Sequence, residues 1–291
     1  MGTGQAIGIN SQFLLLKLNE SLEFKRFATK QKKGGTRTRL YLKSLSSWKT
    51  LFPSIAEQKE IASFITSIDE WIENIKNQKQ SLEIYKKGMM QKIFSRKIHF
   101  KDDSGQKYPE WEIIPLGSVF TERMEKKVGE NLELLSINQS NGITKQKNSI
   151  KRDNSSLDKS NYKVVREYDI AYNTMRMWQG ASGVSKYTGI VSPAYTVVTL
   201  MRGNVEFYGF LFKYPRTVFN FYRYSQGLTS DTWNLKFQHF SEILVTVPTS
   251  IEEQKKIALF LSSLDELIDL KQKKIKLAEQ WKKGLMQQMF V

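Results

Sequence analysis

The chain contains no cysteine and only two histidines, His99 and His239, in unrelated contexts. The first absence excludes a disulfide framework and thiolate chemistry; the second leaves too few ligands for a metal site or a nucleophile–histidine triad. Long apolar runs are missing too. Phe13-Leu14-Leu15-Leu16 is cut off by Lys17 and is far shorter than a membrane span. The N-terminus lacks a signal-peptide layout, and Ala6 breaks the myristoylation pattern after Gly2. A cytoplasmic protein with no membrane contact is expected.

Phosphate-cradling motifs are equally scarce. Gly180–Lys186 (GASGVSK) has glycines and a lysine, but not the spacing of a P-loop. Ser192–Tyr195 (SPAY) has only part of the [DNS]-P-P-[YFW] loop of amino-methyltransferases. It lacks the second proline, and no glycine-rich motif is present to hold S-adenosylmethionine. No catalytic constellation emerges, and no cofactor is expected in this chain.

What the chain does have is positive charge and a long internal repeat. Its 291 residues carry 45 Lys and Arg against 29 Asp and Glu, a formal net charge of +16. That balance points to a polyanion, nucleic acid before an anionic membrane surface. The stretch from Ser54 to Phe94 recurs from Ser250 to Phe290 without a gap, at the offset that takes Glu57 to Glu253. Roughly half of its positions are identical, so a whole unit has been duplicated.

Each copy reads as a helix. Ser54 and Ser250 stand three residues before Glu57 and Glu253, the spacing of a capping box, and Pro53 and Pro248 stop the segment before. The first copy carries Ile61, Phe64, Ile65, Ile68, Trp71, Ile72 and Ile75 at helical steps. The second carries Ile257, Phe260, Leu261, Leu264, Leu267 and Ile268. A helix of about 40 residues is a rod of about 60 Å, too long for one small domain to cover. Antiparallel, coiled-coil-like packing of the two copies is the expected solution.

Upstream of the first copy, GINSQFLLLKL suggests a strand, followed by a basic helical or turn segment. Ala6–Phe24 resembles Thr188–Phe207, and Gly34, Leu42, Lys43 and Pro53 match Gly227, Leu235, Lys236 and Pro248 in layout. The first piece thus reads as the last third of the domain between the helices, with two thirds missing. That domain, which reaches Pro248, has strand candidates at 132–138, 162–165, 169–175, 194–201 and 243–248, and a helix over 205–224. Strands and helices do not alternate regularly, so α+β is the expected class.

The segment Asn173–Tyr187 follows an apolar strand and sets Arg, Trp, Gln, Ser and Lys around small residues, the mixture that DNA groove contacts require. Arg176, Trp178, Gln179, Ser182 and Lys186 are the first candidates for DNA contact. Lys145, Lys147, Arg152, Arg223 and Gln226 follow, from neighbouring basic or polar stretches. An ordinary loop with Met175, Met177 and Trp178 buried is the competing reading.

Taken with the repeat, these residues resemble the specificity subunit of type I restriction-modification systems. The resemblance is carried by Pro53–Phe64 (P-x-x-x-E-Q-K-x-I-A-x-F), the KKG turns before Gln91 and Gln287, and Tyr172–Tyr195. It implies a non-catalytic subunit whose target-recognition domains each read one half of a split double-stranded DNA site. It further implies that the paired helices set the spacing and dock two modification subunits. Those partners would bind S-adenosylmethionine and methylate adenine, while restriction subunits would use ATP and magnesium. On this pattern residues 1–53 are the C-terminal remnant of a first recognition domain, and 54–97 and 249–291 are the spacer helices. Residues 98–248 are a complete second recognition domain. A second specificity chain is a possible partner, in which case the site should be palindromic. The alternative is a regulatory or decoy scaffold that holds modification subunits without productive DNA recognition. The KKG turns at Lys86–Gly88 and Lys282–Gly284 are read either as helix irregularities that serve docking or as plain charged surface.

Overall fold

The structure, a computed structural model, describes residues 8–31, 40–126, 132–139, 142–148, 158–229 and 232–290. The chain forms two compact units, Met1–Ile84 with Asp265–Val291, and Tyr85–Leu264. In chain order the elements are α1 (Ser11–Glu20), α2 (Leu22–Lys30), α3 (Leu42–Leu45), α4 (Ile55–Phe94), β1 (Glu112–Pro115), β2 (Phe120–Glu122), β3 (Leu135–Asn138), β4 (Gly142–Lys145), β5 (Lys163–Val165), β6 (Ile170–Asn173), β7 (Ser182–Val184), β8 (Gly189–Val191), β9 (Tyr195–Leu200), α5 (Val205–Leu211), α6 (Pro215–Tyr224), α7 (Phe237–Ser241), β10 (Leu244–Val247) and α8 (Ile251–Met289). The class is α+β, as the sequence indicates.

The repeated stretches are the helices α4 and α8. The backbone N–H groups of Glu57 and Glu253 donate to the hydroxyls of Ser54 and Ser250, so both helices start at their expected caps. Along α4, Gln58, Ile61, Ile65, Ile68, Ile72, Ile75, Lys79, Leu82, Lys86, Met89 and Ile93 are buried or half-buried at alternating three- and four-residue steps. On α8 the seam runs through Gln254, Ile257, Leu261, Leu264, Ile268, Lys271, Ile275, Ala278, Lys282, Leu285 and Met289. These are the a and d positions of a heptad repeat. The offset between the copies is a whole number of heptads, so duplication kept the phase. The seam is narrower than the periodicity suggests: Phe64, Trp71 and Leu267 are exposed outside it.

Within the first unit the two helices run antiparallel. Asp69 meets Lys282 at 2.5 Å, Lys76 meets Glu279 at 2.8 Å, and Gln78 accepts from Lys271 at 2.5 Å, so later residues of α4 face earlier ones of α8. Lys282 and Lys271 are seam residues whose ammonium groups reach polar partners on the facing helix. Polar seam residues satisfied in only one alignment fix the register. The apolar core here is Phe13, Ala62, Ile65, Ile68, Ile72, Ala278, Met286 and Phe290. Both helices pass through the KKG sequences unbroken, with open space around Gly88 and Gly284.

The N-terminal segment is helical, not the strand expected from GINSQFLLLKL. Asn10 caps α1 by accepting from the Phe13 amide, and Gln58 holds that cap from α4. Its Oε1 accepts from the Asn10 amide at 2.9 Å, and its Nε2 donates to the Pro53 carbonyl at 2.9 Å. The second unit repeats this arrangement atom for atom. Asn204 caps α5 through the Phe207 amide; Gln254 accepts from Asn204 and donates to Pro248, both at 2.9 Å. The structure therefore matches α1, α2 and α3 with α5, α6 and α7. That corrects the pairing of Ala6–Phe24 with Thr188–Phe207, which aligned a helix with strands. Leu42 at the start of α3 corresponds to Phe237 at the start of α7, not to Leu235. Gly34 lies outside the described residues.

Among the described residues, all ten strands lie in the second unit. A four-stranded antiparallel sheet has the order β2-β9-β6-β7, and β1–β10, β3–β4 and β5–β8 are antiparallel pairs. The helix expected over 205–224 is two helices, because Pro215 cannot donate to a continuing helix and instead starts α6. One face of the sheet and α5–α7 enclose an aromatic core. Phe120 packs against Tyr208 at 5.0 Å between ring centroids and against Phe212 at 5.6 Å, and Tyr172 stacks on Phe240 at 5.3 Å. Asp169 is buried in the sheet. It accepts from Arg123 at 2.7 and 3.1 Å, from Thr199 at 2.8 Å and from the Arg166 amide at 2.8 Å, which satisfies both of its oxygens.

Candidate nucleic-acid interface

The turn leaving β6 is fixed from both sides. Asn173 accepts from the Met175 amide at 3.0 Å, Met177 is fully buried, and Gly180 takes the left-handed φ of 79° that ends the short 3-10 turn Met177–Gln179. Beneath the turn lies Lys213, from the α5–α6 junction. Its ammonium donates to the Gly180 and Ser182 carbonyls at 2.7 Å each and to the Gln139 carbonyl at 3.3 Å. Burial, then the Lys86 charge, pulls its pKa down to about 8. Nothing in the sequence around Lys213 sets it apart, because its acceptors are carbonyls from distant segments.

Held this way, the turn presents Arg176 exposed and Gln179 half-buried. Trp178 is half-buried, its Nε1 donating to the Met175 carbonyl at 3.1 Å. Its ring meets Trp233 edge-on at 5.3 Å, and Trp233 meets Tyr222 at 4.9 Å. Arg223 and Gln226 are exposed beside this aromatic group, and Gln226 exchanges backbone hydrogen bonds with Asn234. Segments around 178, 222 and 233 thus form one aromatic and basic surface. An open depression of about 570 Å³ adjoins it, lined among others by Thr174, Met175, Lys163, Thr232, Asn234 and Lys236.

Other candidates lie elsewhere. Ser182 is only 1% exposed, facing inward on β7 with its carbonyl on Lys213, and is removed from the contact set. Both flanks are close-packed here: Ala181 is buried, and a Cβ at Gly183 would meet the backbone of Gly142 and Ile143 at 2.9 Å. Lys145 and Lys147 both pair with Glu133, at 2.7 and 2.6 Å, and Lys145 also sits over the Tyr187 ring. These pairs hold the Glu133 carboxyl below the ordinary carboxylate range and leave the trio one net positive charge. Lys186 is exposed beyond β7, and its charge opposes the rise that burial gives the Glu206 carboxyl. Arg152 lies outside the described residues. Trp233 and Lys236 share this surface without having been singled out as DNA contacts in the sequence, while Lys163 pairs with Glu122 at 3.3 Å; aromatic and basic residues flanking a turn were the available signal.

Among the described residues, no group of three or more His, Asp or Glu is placed to hold a metal ion, and no helix is long and apolar enough to cross a membrane. The site is a cationic, aromatic-edged surface on a small α+β domain joined to paired helices: the build of a DNA-reading module. The type I restriction modification DNA specificity domain matches residues 6–84 and 108–280, and the chain belongs to that family. It is 33% identical over 112 residues to the type I restriction enzyme MjaVIII specificity subunit of Methanocaldococcus jannaschii, an alignment covering 37% of this chain and 25% of that one. To the putative MjaX specificity subunit of the same organism it is 26% identical over 289 residues, covering 94% of this chain and 65% of that one. The chain thus spans less than two thirds of the length of either relative. The fold is similar to the crystal structure of the type I restriction-modification S subunit from M. genitalium (TM-score 0.61, 16% identity, 99% of this chain and 74% of that one). A structure of a type I restriction-modification assembly also shares it (TM-score 0.53, 13% identity, 96% and 70%).

Proposed function

We propose that this chain is the non-catalytic DNA-specificity subunit of a type I restriction-modification complex in the cytoplasm, and that residues 98–248 read one half of a split double-stranded DNA site. The observation that carries the reading is the exposed Arg176 on a turn pinned by buried Met177 and by Lys213, beside Trp178, Trp233 and Arg223. A pre-formed turn presents a guanidinium to base edges without an ordering cost, and flanking cations hold the phosphates. Spacer helices α4 and α8 set the separation of the half-sites. Their exposed apolar residues off the seam recur in equivalent places, Tyr85 with Trp281 and Trp71 with Leu267, which suits docking of two modification subunits. S-adenosylmethionine belongs to those subunits, and ATP to the restriction subunits.

Adenine-methylation mapping in cells expressing the chain with its modification subunit tests this. A defined motif is expected, and Arg176→Ala should relax one base position by about 1–3 kcal/mol. Arg223→Ala should instead weaken binding uniformly and reduce its salt dependence. The regulatory or decoy scaffold is the second reading, favoured by the exposed helical face of α1–α3. Docking of modification subunits with no methylation at all would select it.

A further inference from the structure

Lys213 joins two segments of the second unit that are far apart in the chain. Its ammonium donates to the Gly180 and Ser182 carbonyls, at the turn after β6, and to the Gln139 carbonyl, at the end of β3. The hairpin β3–β4 also packs on β7, where the backbones of Gly142 and Gly183 come into contact. The turn carries Arg176 and Gln179, and the hairpin carries Gln139 and Lys145. An ammonium has three N–H donors, one for each of the three carbonyls. A neutral amine has two donors and a lone pair, so it leaves one carbonyl without a partner. The Gln139 bond, the longest at 3.3 Å, is the first to be lost. Among the described residues no carboxylate pairs with Lys213, and the segments at 139 and 180–182 bring it only carbonyls. The charge set against it is a like one, Lys86 of α4, whose ammonium lies 4.9 Å from the Phe210 ring centroid. Burial and that charge together bring loss of the proton down to about pH 8.

We propose that Lys213 is a positioning residue whose three N–H donors clamp the hairpin β3–β4 to the turn after β6, so that discrimination between DNA sequences depends on its being protonated. It acts through Arg176 and Gln179 on one side and through Gln139 on the other. With all three bonds made, the two segments present their side chains at one fixed spacing. With the Gln139 bond lost, the end of the hairpin is free of the turn, and contacts to base edges lose the pre-organisation that separates right from wrong sequences. The role in discrimination rests on the reading of residues 98–248 as the DNA-reading module; the clamp itself does not.

The test uses the full chain. It has no cysteine, so Gln139→Cys takes a single nitroxide label at an exposed position and keeps the backbone carbonyl that Lys213 holds. Label mobility should rise as pH passes through about 8. It should be high at every pH when Lys213→Met is added, and rise only at higher pH when Lys86→Met is added, since a like charge is gone. No step in the labelled chain, or a step that survives Lys213→Met, overturns the clamp. Should Lys213→Met not fold, a midpoint that Lys86→Met leaves unmoved overturns it instead. The second readout, on the unlabelled chain, is the ratio of affinities for two duplexes, one carrying the motif found by methylation mapping and one with that motif scrambled. The ratio should fall by up to about ten-fold between about pH 7 and about pH 9, the worth of one hydrogen bond, and be low at both in Lys213→Met. A label step with an unchanging ratio overturns the role in discrimination and leaves the DNA reading intact. Equal affinities for the two duplexes at every pH overturn both.

Discussion

The helical layers α1–α3 and α5–α7 are built on one plan and end in different states. Both start at an asparagine cap held by the glutamine of the next long helix, and both lead through a short helix to a proline. One layer lies under a sheet and buries a ring cluster; the other exposes leucines. The shared caps and glutamine contacts accompany the same backbone path in both layers. Burial is decided by whether a sheet is present. A cap is satisfied by a few hydrogen bonds, whereas an apolar face is stabilised only when something removes it from water.

Emptying the covered layer should have the largest effect. Phe240→Ala should destabilise the second unit by about 3–5 kcal/mol, because its ring packs among Phe120, Tyr172, Phe212 and Phe221. Leu42→Ala in the other layer should stay within about 0.5 kcal/mol, as measured by denaturant unfolding.

Lys213 gives a pH signature that belongs to the covered layer alone. Its folded pKa of about 8 lies below the ordinary lysine value of 10.5, so above pH 8 the unfolded chain holds more protons than the folded one. Stability should rise from about pH 8 to 10.5 relative to Lys213→Met, by at most about 3 kcal/mol. Below about pH 8 both states are protonated and the difference levels off. Parallel melts of the two proteins across that window measure the difference.

The shared cap predicts equality where the layers otherwise differ. Gln254→Ala and Gln58→Ala should each cost about 2 kcal/mol, since each leaves a backbone amide and a proline carbonyl unpaired. A much smaller loss for Gln58 would show that α1 is not held as α5 is. Smallest are the helix glycines. Gly88→Ala and Gly284→Ala should each stabilise by about 0.5–1 kcal/mol, because a methyl meets open space in an unbroken helix. If these glycines serve docking, the same changes weaken assembly with modification subunits, which gel filtration of the mixture would report.

What the sequence determined by itself was the part written in local signals. The duplicated helices, their serine caps, their seams and their antiparallel pairing follow from spacing, because heptads and caps act within a few residues. The α+β class was legible for the same reason. Tertiary structure decided the rest. The Phe13–Leu16 run has the composition of a strand, but a glutamine 48 residues beyond its cap residue fixes it as a helix. Ser182 reads as a surface residue until pairing with β6 turns it inward. Trp178, Tyr222 and Trp233 become one surface only when three separate segments meet, and Lys213 acquires its role from carbonyls that no local pattern specifies. Contacts between segments distant in sequence leave no periodicity to read, so only the folded chain reveals them.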